Sequence, residues 1–202
     1  MLNVSVRLIQ ASRVLMLLPL VLAGLAGGFL AMTQAPARVY SIEVHSAMFP
    51  AFSVDDLAAR AEAVILIRPT GHADVHWNSD DRRSWTSADR SNPALIYSDE
   101  EMTVEQILRG PSLPRLITVR KYGGTADGTL MIFDDDPDLR ANQRYLAFLK
   151  QRDTAARSGP ERYWTLVAMD LSVFAEGPNS TWTNGHGLTI DESDFARLAD
   201  SP

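Results

Sequence analysis

The chain of 202 residues contains no cysteine. That excludes a disulfide framework, a thiolate zinc site, an iron–sulfur cluster, a cysteine nucleophile and a lipidated N-terminal cysteine. Lysine is nearly as scarce, with only Lys121 and Lys150 in the sequence. The 19 basic residues stand against 25 acidic ones, a formal charge of −6, so there is no basic footprint for nucleic acid and no nucleic-acid partner is expected. Three familiar catalytic signatures are also missing: Gly-x-Ser-x-Gly, Ser-x-x-Lys and His-Glu-x-x-His. With 46% hydrophobic and 22% charged residues, the composition is that of one globular domain plus a short appendage rather than a disordered chain.

The appendage is residues 1–37. Nineteen uncharged residues run from Val14 to Met32, preceded by Arg7 and Arg13, and no acid occurs before Glu43. Such a run is long enough to cross about 30 Å of hydrocarbon as a helix. The arginines place its start on the cytoplasmic side and the remainder outside. Two readings remain open. As a cleaved signal peptide, the segment offers Ala35-Pro36-Ala37 as small residues around a cleavage site. As an uncleaved anchor, it would hold the protein to the cytoplasmic membrane through residues 14–32. Either way residues 38–202 are exported, with 17 bases against 25 acids and a formal charge of −8. An acidic, cysteine-free exported domain suits a bacterial envelope, because small eukaryotic secreted domains usually carry disulfides.

Residues 38–52 read as a linker and 53–202 as one domain. Ser53 followed by Asp56 marks a helix start over Ser53 to Ala61. The run Ala63-Val64-Ile65-Leu66-Ile67-Arg68-Pro69 reads as a strand buried on both faces and interrupted by Pro69. Gly71 to Pro93 reads as a long polar loop or ragged hairpin. Met102 to Leu108, Leu116 to Tyr122, Tyr145 to Leu149, Tyr163 to Ala168 and Leu171 to Phe174 are further strand signals, with Gly187 to Ile190 as another candidate. Asp191 to Leu198 reads as a closing helix with acids in its first turn. Short strands at this spacing with few helices predict a mainly β fold, a small antiparallel barrel or sandwich.

The order of Leu57-Ala58-Ala59-Arg60-Ala61-Glu62-Ala63-Val64-Ile65-Leu66, Thr103-Val104-Glu105-Gln106-Ile107-Leu108-Arg109-Gly110-Pro111, Leu116-Ile117-Thr118-Val119 and Tyr145-Leu146-Ala147-Phe148-Leu149 resembles the netrin-module or TIMP-like family. The resemblance covers about residues 53–175 and implies a five-stranded OB-like barrel with a flanking helix. Inhibitors in that family chelate the target zinc through an N-terminal cysteine. This chain has none, so neither that mode of protease inhibition nor any functional residue carries over.

Candidate chemistry is sparse. In His72-Ala73-Asp74-Val75-His76 an extended backbone puts both imidazoles and the carboxylate on one side, the donor types of a zinc or copper site. In a strand, however, His72 and His76 stand ~13 Å apart, too far for one ion without a bend, so the expectation is a polar hairpin face and no bound metal or cofactor. Asp134-Asp135-Asp136-Pro137-Asp138 has acids at alternating positions of a calcium loop, but Leu139 and Tyr145 replace its required glycine and glutamate, which favours an acid-rich turn. Lys121-Tyr122-Gly123-Gly124-Thr125 follows a strand signal and reads as a Gly-Gly hairpin turn rather than a phosphate loop.

The Gly71 to Pro93 segment concentrates Trp77, Trp85, His72, His76, Arg82, Arg83 and Arg90, the mixture of aromatics and arginines that anchors interfaces. Its tryptophans would equally suit plugging the barrel end. The functional expectation is a non-catalytic envelope module that binds a protein or peptide through Trp77, Arg82, Arg83 and Trp85. The alternative is an envelope hydrolase or metal-dependent enzyme using His72, Asp74, His76 and His186. A reporter fused after Pro202 should be active only when it functions outside the cytoplasm, and activity confined to the cytoplasm would overturn the predicted export.

Overall fold

The computed structural model describes residues 40–44, 52–79, 82, 94–153 and 162–200. The segment 1–37 lies outside the described residues, as do His45, Arg83, Trp85 and Arg90. Among the described residues no helix is long and apolar enough to cross a membrane.

Among the described residues the protein is mainly β, with two short α-helices. In chain order the elements are β1 (Tyr40–Val44), α1 (Val54–Arg60), β2 (Ala63–Trp77), β3 (Ile96–Arg109), β4 (Leu116–Tyr122), β5 (Gly124–Ala126), β6 (Thr129–Phe133), β7 (Tyr145–Asp153), β8 (Arg162–Leu166), β9 (Val173–Glu176), β10 (Thr181–Thr183), β11 (Thr189–Asp191) and α2 (Phe195–Asp200). An eight-stranded sheet runs β11-β10-β9-β7-β2-β3-β4-β8, and β8 also pairs with β7, so the sheet partly closes on itself. The β4–β8 seam is parallel and two residue pairs long, whereas β2–β3, β3–β4, β2–β7 and β7–β8 are antiparallel. A second, three-stranded sheet has the order β1-β6-β5. Its β1 is drawn from the stretch read as a linker and pairs parallel to β6.

Alternation along β2 explains the layers. Ala63, Ile65 and Ile67 join Met102, Ile117, Val119, Tyr145, Ala147, Leu149, Trp164 and Leu166 in a core fed by all five strands of the ring. Val64 and Leu66, on the opposite face, pack with Leu57, Ala58, Leu146, Phe148, Phe174, Trp182, Phe195 and Leu198. This second core needs α1 and α2 as its roof. The α1 start has the expected chemistry: the Ser53 hydroxyl accepts from the Asp56 N–H at 3.1 Å, and the Asp56 carboxylate accepts from the Ser53 N–H at 3.0 Å. Its far end is tied down by the Arg109 guanidinium, which donates to the carbonyls of Ala58 and Ala61.

Two local expectations are settled. Of the two readings of the Gly71 to Pro93 stretch, a long loop or a ragged hairpin, Gly71–Trp77 takes the second and is a hairpin arm: β2 continues past Pro69 through a register shift between Pro69 and Ala73, with Gly71 at φ +85°, and β3 begins at Ile96 to pair with it. A bulge lets the strand absorb a proline and a left-handed residue that would otherwise break the ladder. Gly123-Gly124, by contrast, is no hairpin turn. It carries the chain from β4 in the large sheet into β5 of the small one, and the hairpin turn is Asp127-Gly128, with φ of +48° and +74° as a type I′ turn requires.

Phe148 is fully buried in the roofed core and its ring meets Phe174 edge-on at 5.8 Å. Phe148→Ala should cost ~3–5 kcal/mol in urea unfolding. Ile132→Ala, at a side chain 41% exposed, should change stability by less than ~1 kcal/mol.

Candidate functional site: the outer face of β2, β3 and β4

Beyond the bulge, β2 and β3 leave the apolar layers, and their outward side chains become polar and aromatic. Register pairs Asp74 with Asp99 and His76 with Tyr97 across β2–β3. It then pairs Asp99 with Arg120 and Tyr97 with Tyr122 across β3–β4. Directly opposed residues share a face, so these six side chains form two adjacent rows.

Asp99 is the hub of one row. It accepts from Arg120 Nε at 2.6 Å and Nη2 at 2.7 Å, a bidentate pair, and its Oδ2 lies 3.0 Å from His76 Nε2. The side chains of Arg120, Asp99 and His76 are 8%, 5% and 4% exposed, so the Arg120–Asp99 ion pair is shielded from solvent. Arg120 is also sandwiched between rings, with its guanidinium carbon 5.0 Å from the Tyr97 centroid and 4.0 Å from that of Tyr163. Burial pushes the Asp99 carboxyl up, but the hydrogen bonds and charge of Arg120, with His76, outweigh it and hold it at about 2. His76 Nδ1 lies 2.9 Å from the Trp77 carbonyl. The imidazole thus bridges Asp99 on β3 and the backbone of its own strand.

The second row is aromatic. Centroids of His76 and Tyr97 are 6.2 Å apart, those of Tyr97 and Tyr122 5.5 Å, and those of Tyr122 and Phe133 5.3 Å, the last reached from β6. Tyr122 is 38% exposed at the outer edge of the row. Behind it Trp77, Ile96 and Met131 form a small core between the two sheets.

Of the residues singled out by sequence, His72 and Asp74 lie exposed on β2, and Asp74 is paired with Arg82. His76 is buried on the same outer face against Asp99, so the His72–Asp74–His76 set is not drawn together. Trp77 is 5% exposed and sits in the small core. His186 is apart from these residues, with Nε2 2.9 Å from Asp170. Among the described residues no group of three or more His, Asp or Glu side chains is placed to hold a metal ion. Sequence reasoning missed Tyr97, Asp99, Arg120 and Tyr122. The signal was present in the alternations Tyr97-x-Asp99 and Arg120-x-Tyr122, each pointing two side chains to one face.

On the inward side of the same strands Lys121 is buried, with Nζ 2.9 Å from Glu100, 3.1 Å from Asp136 and 2.9 Å from the Pro137 carbonyl. Burial pushes Asp136 up to about 6 against the pull of Lys121, with Glu100 and Asp135 adding to the upward push. No family model, curated protein or solved structure matches the chain.

These carboxyls give stability two opposed limbs. Asp99, depressed from 3.8 to about 2, contributes stability that is present above 3.8 and is lost as pH falls toward 2. Asp136, raised from 3.8 to about 6, contributes stability that is full below 3.8 and is lost as pH rises through 6. Urea midpoints should therefore peak between these limits, and Asp136→Asn should flatten the alkaline limb. Asp99→Ala, which strands Arg120 without its partner, should cost ~3–5 kcal/mol at pH 7.

Proposed function

We propose that the exported body is an OB-like, TIMP-like barrel acting as a non-catalytic binding module of the bacterial envelope. It takes a protein or peptide partner on the outer face of β3 and β4, together with the connection from β2 to β3 that carries Arg82, Arg83 and Trp85. The observation that carries this reading is the outward aromatic row His76–Tyr97–Tyr122–Phe133 beside the Tyr-sandwiched Arg120. Tyr122, 38% exposed and held on a strand at the edge of this row, presents a rigid aromatic contact at little entropic cost, and the buried Arg120 fixes the Tyr97 ring beside it.

The barrel assignment is supported by connectivity. Taking β2, β3, β4, β7 and β8 as strands one to five, the pairing order is 1-2-3-5-4 and back to 1, with three and five parallel. Binding across strands two and three and the loop joining one to two is the common use of that barrel. The N-terminal segment 14–32 supplies export, by cleavage or as a membrane anchor.

An enzyme built on a His/Asp site has the His76–Asp99 pair in its favour. Against it, Asp99 already holds Arg120 through both oxygens, and both His76 nitrogens face acceptors, leaving none to serve as a base toward a nucleophile.

The test is capture of a partner from envelope extract by the full chain, followed by affinity measurement with variants. Tyr122→Ala should weaken binding by ~2 kcal/mol and leave folding intact, because the side chain is already partly exposed. Unchanged affinity in Tyr122→Ala and in Trp85→Ala would remove this face from the interaction.

A further inference from the structure

We propose that the cavity between the end of β4 and the β5–β6 hairpin is a binding site for an alkylammonium group, the chemistry of a lysine side chain. It goes beyond the reading above; it shares Tyr122 and Phe133 with the proposed partner face, but a small cation can be titrated with no partner present. The cavity has a volume of about 290 Å³, which suits a single cationic head group with a short aliphatic stem.

Its lining is of two kinds. Tyr122, Met131, Ile132 and Phe133 are apolar, with Tyr122 and Phe133 tilted at 43° and their centroids 5.3 Å apart. Asp136 and Asp138 are acidic. A ring face attracts a cation through its quadrupole, and a carboxylate does so through its charge, so a cavity holding both selects an organic cation over a neutral molecule or an anion. The methylene stem of such a ligand has apolar surface to lie on, which a hydrated metal ion does not use.

The charge count at the cavity leaves room for one more cation. Lys121 lines the same cavity, but its three donors are already occupied by Glu100, Asp136 Oδ2 and the Pro137 carbonyl. Asp138 is paired with Arg140 in an exposed bridge. Asp136 Oδ1 is buried without a hydrogen-bond partner, and so are both carboxylate oxygens of the neighbouring Asp135. A buried carboxylate oxygen left unpaired is costly, and a cation in the adjoining space offsets that cost.

The backbone fixes this wall. Gly123 and Gly124 line the cavity at φ of +89° and +120°. A Cβ at 123 would lie 2.8 Å from the Met131 carbonyl oxygen and 3.5 Å from the Phe133 ring, so glycine there lets the end of β4 pack closely on β6.

The experiment is a titration of the full-length protein, in neutral detergent, with n-butylammonium chloride, following the Gly123 and Gly124 amide resonances by NMR. The expected result is a saturable shift at both glycines, with n-butanol giving none. Asp136→Asn should weaken the response at least tenfold, and Tyr122→Leu about three- to fivefold. Should Asp136→Asn fail to fold, the wild-type titration at pH 5 replaces it. Glu100, Asp135, Asp138 and Lys121 surround the same carboxyl, and affinity should be on the order of tenfold lower at pH 5 than at pH 7.5. Three results would overturn the proposal: no saturable shift, an equal response to n-butanol, or shifts produced by calcium chloride and not by n-butylammonium.

Discussion

The structure depends on five consecutive residues of β2 being buried on both faces. Ala63, Ile65 and Ile67 enter the core enclosed by the ring of strands, while Val64 and Leu66 enter the core roofed by the two helices. A strand with two apolar faces must be central, and the ladder gives it β3 on one side and β7 on the other. The remaining placements follow from covering its second face. α1 is brought over it directly by the chain, and β7 shares the duty because Leu146 and Phe148 alternate with Tyr145, Ala147 and Leu149 between the same two cores. Gly110 marks how closely the chain returns to this strand, since a Cβ there would lie 2.7 Å from the Glu62 carbonyl oxygen at a φ of +120°.

Past the bulge at Gly71 the same two strands are held by different physics. No continuous apolar run remains, and cohesion comes from the small Trp77, Ile96 and Met131 core together with buried ion pairs on both faces of β3. Asp99 turns outward to Arg120 and His76, and Glu100 turns inward to Lys121. A surface network does related work nearer the bulge, where Glu105 on β3 bridges Arg68 on β2 and Arg144 before β7, and Arg144 continues to Glu176 on β9. Exposed bridges of that kind add little individually, whereas the buried set fixes register because a one-residue slip would strand a charge in the interior.

This division explains what could be read from the residues. Val64 to Ile67, Val104 to Leu108, Ile117 to Arg120 and Tyr145 to Leu149 announce themselves as strands because packing and propensity agree there, and the Ser53 cap with Asp56 is a local device needing no tertiary context. The strand continuations Gly71–Trp77 and Ile96–Glu101 were hidden because glycine, proline and three successive acids argue for a turn. They become strand because β4 brings Arg120 to Asp99 and Lys121 to Glu100. The same holds for the outer aromatic row, whose members come from β2, β3, β4 and β6. Their meeting is a consequence of register, which no local window contains.

Asp99 and Asp136 show how compensation, rather than burial alone, sets the character of each region. Both carboxyls are pushed up by burial, yet Asp99 ends at about 2 and Asp136 at about 6. The difference lies in their partners. Asp99 receives a bidentate guanidinium as well as an imidazole, so both its oxygens are satisfied and the region is closed electrostatically. Asp136 shares a single ammonium with Glu100 and a carbonyl, and one of its oxygens has no partner. The first arrangement is rigid, suited to holding aromatic side chains in fixed positions for contact. The second leaves uncompensated negative charge beside an aromatic wall, in a chain whose exported part already carries an excess of acids. Two adjacent positions of β4, Arg120 facing out and Lys121 facing in, thus leave one carboxylate with both oxygens paired and one with a single oxygen paired.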